Sequence, residues 1–331
     1  MIRTATLAAA LVAAGALAAE AETTLRFANF EPPQSIAQAE IFEPWAKMLA
    51  DETGGSLKVE FYSGGALGPD PRKQLDLVTK GIADVGWVFA FFTPARFPQA
   101  GLVELPMEIL DAGKGTVALN AMYDKGLLHQ GLDDVVPVAI FTAPAAVYFT
   151  KFEPKSLDDL KGLKAAASGP IRNQIMEALG MLPVGGVNIG NMAESLSRGT
   201  IDVGQVNFTA AGTFRVNDVA NHAVDLAGGS SMLFILMNRK VYDGLSDDER
   251  AALDKGRAFL TQRWSDVIGG AEVTAKAAYA ADPARTVLDF TDDERNAIKA
   301  QLSGITDAWV AGTEGGQEML DALRSELAAQ N

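Results

Sequence analysis

One pattern constrains this chain more than any other. A short helical segment, a glycine and a short apolar strand follow one another five times. A helix over about 35–52 carries Ile41, Trp45, Met48 and Leu49 at helical spacing, stops at Gly54-Gly55, and gives way to the alternating run Leu57–Phe61. The cycle returns at Gly81, Gly162, Gly180 and Gly199, followed by strand candidates over 82–88, 163–167, 181–184 and 200–206. Short helices alternating with short apolar strands predict an α/β protein with mostly parallel sheets. Two cycles share a sequence: Lys80-Gly81-Ile82-Ala83-Asp84-Val85-Gly86 and, 118 residues later, Arg198-Gly199-Thr200-Ile201-Asp202-Val203-Gly204. In a chain of 331 residues this repeat predicts two similar lobes. Ligands of open parallel sheets sit beyond the carboxyl ends of the strands. Trp87-Val88-Phe89 and Gln205-Val206-Asn207-Phe208 are therefore expected to face one another across a cleft, with Trp87 and Phe208 on opposite walls. Beyond about residue 240 the pattern changes. Ser246-x-x-Glu249 and Thr291-x-x-Glu294 are capping boxes. The first opens a helix predicted over 247–280, long enough to brace both lobes.

The chain begins with an address. Arg3 precedes an apolar stretch from Leu7 to Ala19, with Ala-x-Ala spacing at Ala16-Leu17-Ala18 and Ala19-Glu20-Ala21. Residues 1–21 are expected to be a secretory signal peptide, cleaved after Ala21 or Ala18, so the mature chain is expected to be exported. The apolar run is short for a membrane span, and no Cys stands at the cleavage point for a lipid anchor.

Composition removes whole classes of function. Lys+Arg 28 against Asp+Glu 42 gives a net charge of −14, which argues against binding nucleic acid or anionic lipid. With Cys 0 there is no disulfide, thiolate nucleophile or Cys-ligated metal. His129 and His222 are the two histidines, far apart in sequence, so a His-rich metal site is excluded. His129 reads as a surface residue and His222 as structural. No Gly-x-Ser-x-Gly elbow occurs. Asp111-Ala112-Gly113-Lys114-Gly115-Thr116 lacks the phosphate-loop spacing and reads as a turn. Asp133-Asp134 and Asp292-Asp293 fit turns and caps better than acid–base pairs. No cofactor is expected. An exported, two-lobed chain without these constellations points to a binding protein rather than an enzyme.

Five stretches, in order, resemble the solute-binding subunit of TRAP transporters, of the DctP type. They are Leu25 to Pro33 with Pro44-Trp45-Ala46; Thr53 to Val59; Gly81 to Trp87, continuing through Phe92 to Pro98 and Glu104-Leu105-Pro106; Asp158 to Lys164 with Ala178 to Val184; and Met237-Asn238-Arg239-Lys240 with Leu245 to Glu249. The resemblance implies a two-lobed periplasmic binding protein fold, with crossing hinge strands and a long helix, closing on a small organic acid. It implies delivery to small and large membrane permease subunits for ion-gradient-driven uptake. The expected organisation is lobe I over 22–146 with 232–275 returning to it, and lobe II over 147–231 with part of 276–331 packed on it. Expected ligand residues are Asn29, Phe30, Trp87, Phe92, Arg172, Gln205, Asn207 and Phe208.

The chain departs from the family at one telling position. Gly-Leu-Lys is usually followed by an apolar residue and an Arg that pairs with the ligand carboxylate; here Ala166 holds that place, and Ala143-Pro144-Ala145-Ala146 stands where some acidic-ligand receptors carry a second Arg. The pocket is therefore expected to be less cationic than usual. Arg172 is the nearest replacement, with backbone amides at Ser168-Gly169-Pro170, together with Asn207, as the alternative. Arg96 reads as a structural tie. Three other readings stay open on sequence alone: a receptor for an ATP-driven importer, a sensor-only receptor, and an exported enzyme on the same scaffold.

Overall fold

A computed structural model describes residues 22–166 and 169–330; the expected signal peptide lies outside the described residues. Two sheets carry the chain. The first contains β1 (Thr23–Ala28), β2 (Leu57–Tyr62), β3 (Val85–Phe89), β4 (Val135–Thr142) and β10 (Met232–Asn238), in the order β2-β1-β3-β10-β4. The second contains β5 (Val147–Thr150), β6 (Lys164–Ala166), β7 (Leu182–Val184), β8 (Val203–Val206), β9 (His222–Asp225) and β11 (Thr286–Asp289), in the order β11-β9-β5-β8-β6-β7.

Both sheets are mixed, for one topological reason. β4 pairs antiparallel with β10, and β5 antiparallel with β9. The chain passes from β4 into β5 across Ala143–Ala146 and returns from β9 into β10 across Leu226–Ser231. The two crossovers bond to each other, Ala143 N to Ser231 O at 2.9 Å and Ala146 N to Gly229 O at 2.8 Å. One antiparallel ribbon therefore threads both sheets. It leaves a single reversed strand in each, β10 in the first and β5 in the second, while the remaining strands run parallel.

The internal repeat is the same structural device used twice. Asp84 N donates to Arg26 O at 3.0 Å, and Asp84 Oδ2 accepts from Arg26 N at 2.8 Å. Asp202 N donates to Lys164 O at 2.7 Å, and Asp202 Oδ2 accepts from Lys164 N at 2.9 Å. Even the cationic side chains match: Arg26 Nη2 donates to Gly81 O and Lys164 Nζ to Gly199 O, each at 3.0 Å. Each Asp thus fixes the start of its strand against a parallel neighbour. Trp87 and Gln205 then occupy equivalent positions, three residues past their Asp.

The helix Asp247–Ala280 starts at the Ser246/Glu249 capping box and spans 34 residues, about 50 Å at 1.5 Å per residue. Its first part buries Leu253, Leu260, Trp264 and Ile268 in the core of the first sheet, with Phe27, Phe42, Trp45 and Phe141. Its last turn buries Tyr279 in the core of the second, against Phe149 and Phe208. The stretch at Asp111, expected to be a turn, instead starts the helix Ala112–Asp124, with Asp111 Oδ1 accepting from Lys114 N at 2.9 Å. Its glycines are there for close approach: a Cβ on Gly113 would sit 2.4 Å from Ser265 Oγ of the long helix. Arg96 donates to Gly131 O at 2.9 Å and pairs with Asp134, a tie between loops. His129 is exposed and stacks on Tyr123, while His222 Nδ1 lies 2.9 Å from Thr286 Oγ1 at the β9–β11 edge.

The repeat predicts unequal costs for equivalent substitutions. Asp84 is buried and also holds the Arg26 guanidinium, whereas Asp202 is half-exposed. Asp84→Ala should destabilise by about 1–3 kcal/mol, the cost of a buried donor left unsatisfied, and Asp202→Ala by clearly less. Chemical denaturation of both variants measures the order; equal losses would contradict it.

Candidate ligand-binding site

The ends of the strands define the site. A cavity of about 130 Å³ lies between the two sheets, lined by residues that follow β1 (Glu31, Ser35), β3 (Phe91, Phe92), β4 (Ala143, Pro144) and β8 (Asn207, Thr209, Ala210). Ser231 and Leu233, at the start of the reversed strand β10, complete the floor. The long helix adds Trp264 and Ile268. This is the carboxyl-end geometry expected of open parallel sheets.

The walls are largely aromatic. Trp87 contacts Phe89 at 5.6 Å and Trp264 at 5.8 Å between ring centroids. Phe89 lies 5.7 Å from Phe91, and Phe91 lies 4.2 Å from Phe92. Phe214 closes the wall on the side of the second sheet. Trp264 is anchored by its Nε1–H, which donates to Thr142 O at 2.9 Å, and by stacking on Phe141 at 4.5 Å.

Two charged residues line the cavity among those described, Arg172 and Glu31. Arg172 comes from the first turn of the helix Pro170–Ala178, which Pro170 opens at its N1 position behind Gly169. The helix start is held by a distant carboxyl. Glu104 Oε2 accepts from Arg172 N at 3.3 Å, and Ile171 N also donates to this carboxyl. Gly169 at φ +140° makes room for this carboxyl and Gly229 at φ +92° for the Glu104 backbone: a Cβ on Gly169 would lie 2.7 Å from Glu104 Oε2, and one on Gly229 2.4 Å from Glu104 O. The guanidinium lies over the Phe91 ring, 4.7 Å from its centroid. Burial works against the charge of Arg172, and Glu104, then Tyr148, offset it. Burial likewise raises Glu104 above the usual carboxyl range, against the pull of Arg172.

Glu31 is fixed more completely. Its backbone N–H donates to Asn29 Oδ1 at 2.9 Å, and its carbonyl accepts from Gly64 N at 2.7 Å. Trp87 Nε1 donates to its Oε1 at 3.0 Å. Burial raises its pKa, opposed by hydrogen bonds from Trp87 and Ser35.

Of the residues expected from sequence, Trp87, Phe92, Arg172, Gln205 and Asn207 line the cavity. The other three stand behind it. Asn29 is buried and bonds Gln38 Oε1 at 2.8 Å while holding the Glu31 backbone. Phe30 backs Phe89 at 5.1 Å. Phe208, expected on the wall opposite Trp87, points into the core between Phe149 and Tyr279. The reason is local: Asn207 caps the helix Phe208–Thr213, its Oδ1 accepting from Ala210 N at 2.8 Å, so the chain has already turned at Phe208. Glu272 of the long helix accepts from Phe208 N at 2.7 Å and Thr209 N at 2.9 Å, fixing that turn. Thr209, Ala210, Thr213 and Phe214 line the cavity instead. Ala166 is buried at the end of β6 and does not line it. Ser168, part of the alternative anchor, lies outside the described residues. Sequence reasoning missed Glu31, Glu104 and Trp264. Glu104 lay in a motif already singled out, and Glu31 lies two residues from Asn29.

Known proteins share this fold. A Comamonas testosteroni protein named outer membrane transporter protein TsaT is 29% identical, with 97% of each chain covered. A marine metagenome TRAP solute-binding protein described as specific for aromatic acid ligands, solved with 3-hydroxybenzoate, superposes with a TM-score of 0.85 at 26% identity, covering 93% of this chain and 99% of that one. A TRAP solute-binding protein from Rhodoferax ferrireducens, solved with copurified benzoate, gives a TM-score of 0.85 at 25% identity, covering 93% and 98%. The profile of bacterial extracellular solute-binding protein family 7, DctP, matches residues 27–312. The chain belongs to the DctP family of extracellular solute-binding proteins.

Proposed function

We propose that this chain is the periplasmic receptor of a TRAP transporter and that it captures a monocyclic aromatic monocarboxylate, which it delivers to small and large permease subunits. The observation that carries this reading is one buried guanidinium, Arg172, set in an aromatic cavity of about 130 Å³. An apolar cavity of about 150 Å³ accepts benzene, so a single ring is the natural occupant. A carboxylate taken from water needs a charge-assisted partner, and a planar guanidinium offers two parallel N–H donors. The first-turn amides of Ile171 and Arg172 are already held by Glu104, which favours the Arg172 side chain over these first-turn amides as the anchor. The bound 3-hydroxybenzoate and benzoate of the two structural relatives are of this class. No helix among the described residues is long and apolar enough to cross a membrane, which fits the export reading of residues 1–21.

Arg172 replaces in function the Arg that Ala166 lacks. Arg172→Ala should weaken benzoate binding by about 2–5 kcal/mol, as when one partner of a buried charge pair is removed. Isothermal titration measures it, and unchanged affinity would move the anchor elsewhere. Capture between two lobes also predicts closure that excludes water from the ring. Small-angle scattering should show a smaller radius of gyration at saturating benzoate than without it; an unchanged radius would contradict closure.

A further inference from the structure

Glu31 is the cavity's second charged residue, and nothing in the capture of a carboxylate by Arg172 requires it. We propose that Glu31 reads the uncharged end of the ligand by hydrogen-bonding a ring hydroxyl, so that the receptor selects hydroxylated aromatic monocarboxylates over benzoate and over aromatic dicarboxylates. The inference rests on the reading of the cavity as an aromatic acid site and adds a selecting residue to it.

Three observations support it. First, the residue is held in place: Asn29 and Gly64 bond its backbone, Trp87 Nε1 donates to Oε1 at 3.0 Å, and Ser35 also bonds the carboxyl. Asn29 is itself fixed by Gln38, which Ser63 also bonds at 3.1 Å. Second, Glu31 and Arg172 reach the same cavity from different sheets, one after β1 and the other in the helix between β6 and β7. A ring with a carboxylate on Arg172 can therefore carry a substituent toward Glu31. Third, the charge count restricts that substituent. Among the described lining residues Arg172 is the one cation, and Glu31 makes no salt bridge with any described residue. A second ligand carboxylate would be buried without a cation, a costly arrangement. A hydroxyl both donates and accepts, so it satisfies Glu31 whether the carboxyl is ionised or, as its burial favours, protonated.

The test is isothermal titration of the purified protein at neutral pH with benzoate, the three monohydroxybenzoates and isophthalate. For the wild type, at least one hydroxybenzoate should bind roughly 10-fold more tightly than benzoate, the value of one good hydrogen bond, and isophthalate more weakly than benzoate. In Glu31→Leu the ratio of the best hydroxybenzoate affinity to benzoate affinity should fall to within about 2-fold. Glu31→Gln keeps a donor and an acceptor and should retain most of the preference. The wild-type ranking alone can overturn the assignment even if Glu31→Leu does not fold. The assignment is overturned if no hydroxybenzoate outbinds benzoate, if isophthalate binds as tightly as the best hydroxybenzoate, or if the preference survives in Glu31→Leu. In each of those cases benzoate capture stands and only the role of Glu31 falls. If no compound in the panel binds, the aromatic acid reading falls with it.

Discussion

The site depends on one carboxyl, that of Glu104. It takes the first-turn amides of the helix Pro170–Ala178 and faces the guanidinium that this helix carries. An Arg buried in an aromatic cavity without an opposite charge would cost several kcal/mol, and a helix start without acceptors would leave donors unsatisfied. Glu104 answers both at once, from a segment that joins the crossover through Ser230 N to Val103 O at 2.8 Å. A second glutamate repeats the solution: Glu272 takes the amides at the start of the helix Phe208–Thr213. Two of the helix starts at the cavity are thus neutralised from within. On the proposed reading this leaves the Arg172 side chain, rather than these helix-start amides, to meet the ligand.

The ribbon that threads both sheets explains why the cavity lies where it does. Because β4–β5 and β9–β10 pass from one sheet to the other side by side, the carboxyl ends of the parallel strands are brought to one interface. The crossover residues Ala143, Pro144 and Ser231 become its floor. The long helix then crosses the same interface, lending Trp264 to the cavity wall and Tyr279 to the far core. A receptor with a net charge of −14 faces a long-range field that opposes anions, and the local cation has to overcome it.

Much of this was legible in the sequence because it is local. The Ser246/Glu249 box predicted the helix over 247–280, which is observed as Asp247–Ala280. The Gly-x-x-Asp repeat predicted paired strands, and its two aspartates make the same bonds. The neighbouring strands β4 and β10 were less visible. Val135–Thr142 and Met232–Asn238 are buried on both faces, so their apolar runs carry no alternation to announce a strand. The site was half legible. Trp87, Gln205 and Asn207 follow from the repeat. Phe208 failed because a capping Asn207 turns the chain one residue early, a geometric fact that residue spacing does not carry. Glu104 and Trp264 reach the site from 68 and 92 residues away from Arg172, and long-range partners leave no periodic trace.

We propose that an aromatic ring fills the cavity with its carboxylate on Arg172. A crystal structure of the protein soaked or grown with benzoate shows whether it does. The ring is expected between Phe91, Trp87 and Trp264, with both carboxylate oxygens in hydrogen-bond reach of the Arg172 guanidinium. A ring bound elsewhere, or a carboxylate held by Asn207 with Arg172 making no contact to it, would overturn the assignment of Arg172 as the anchor.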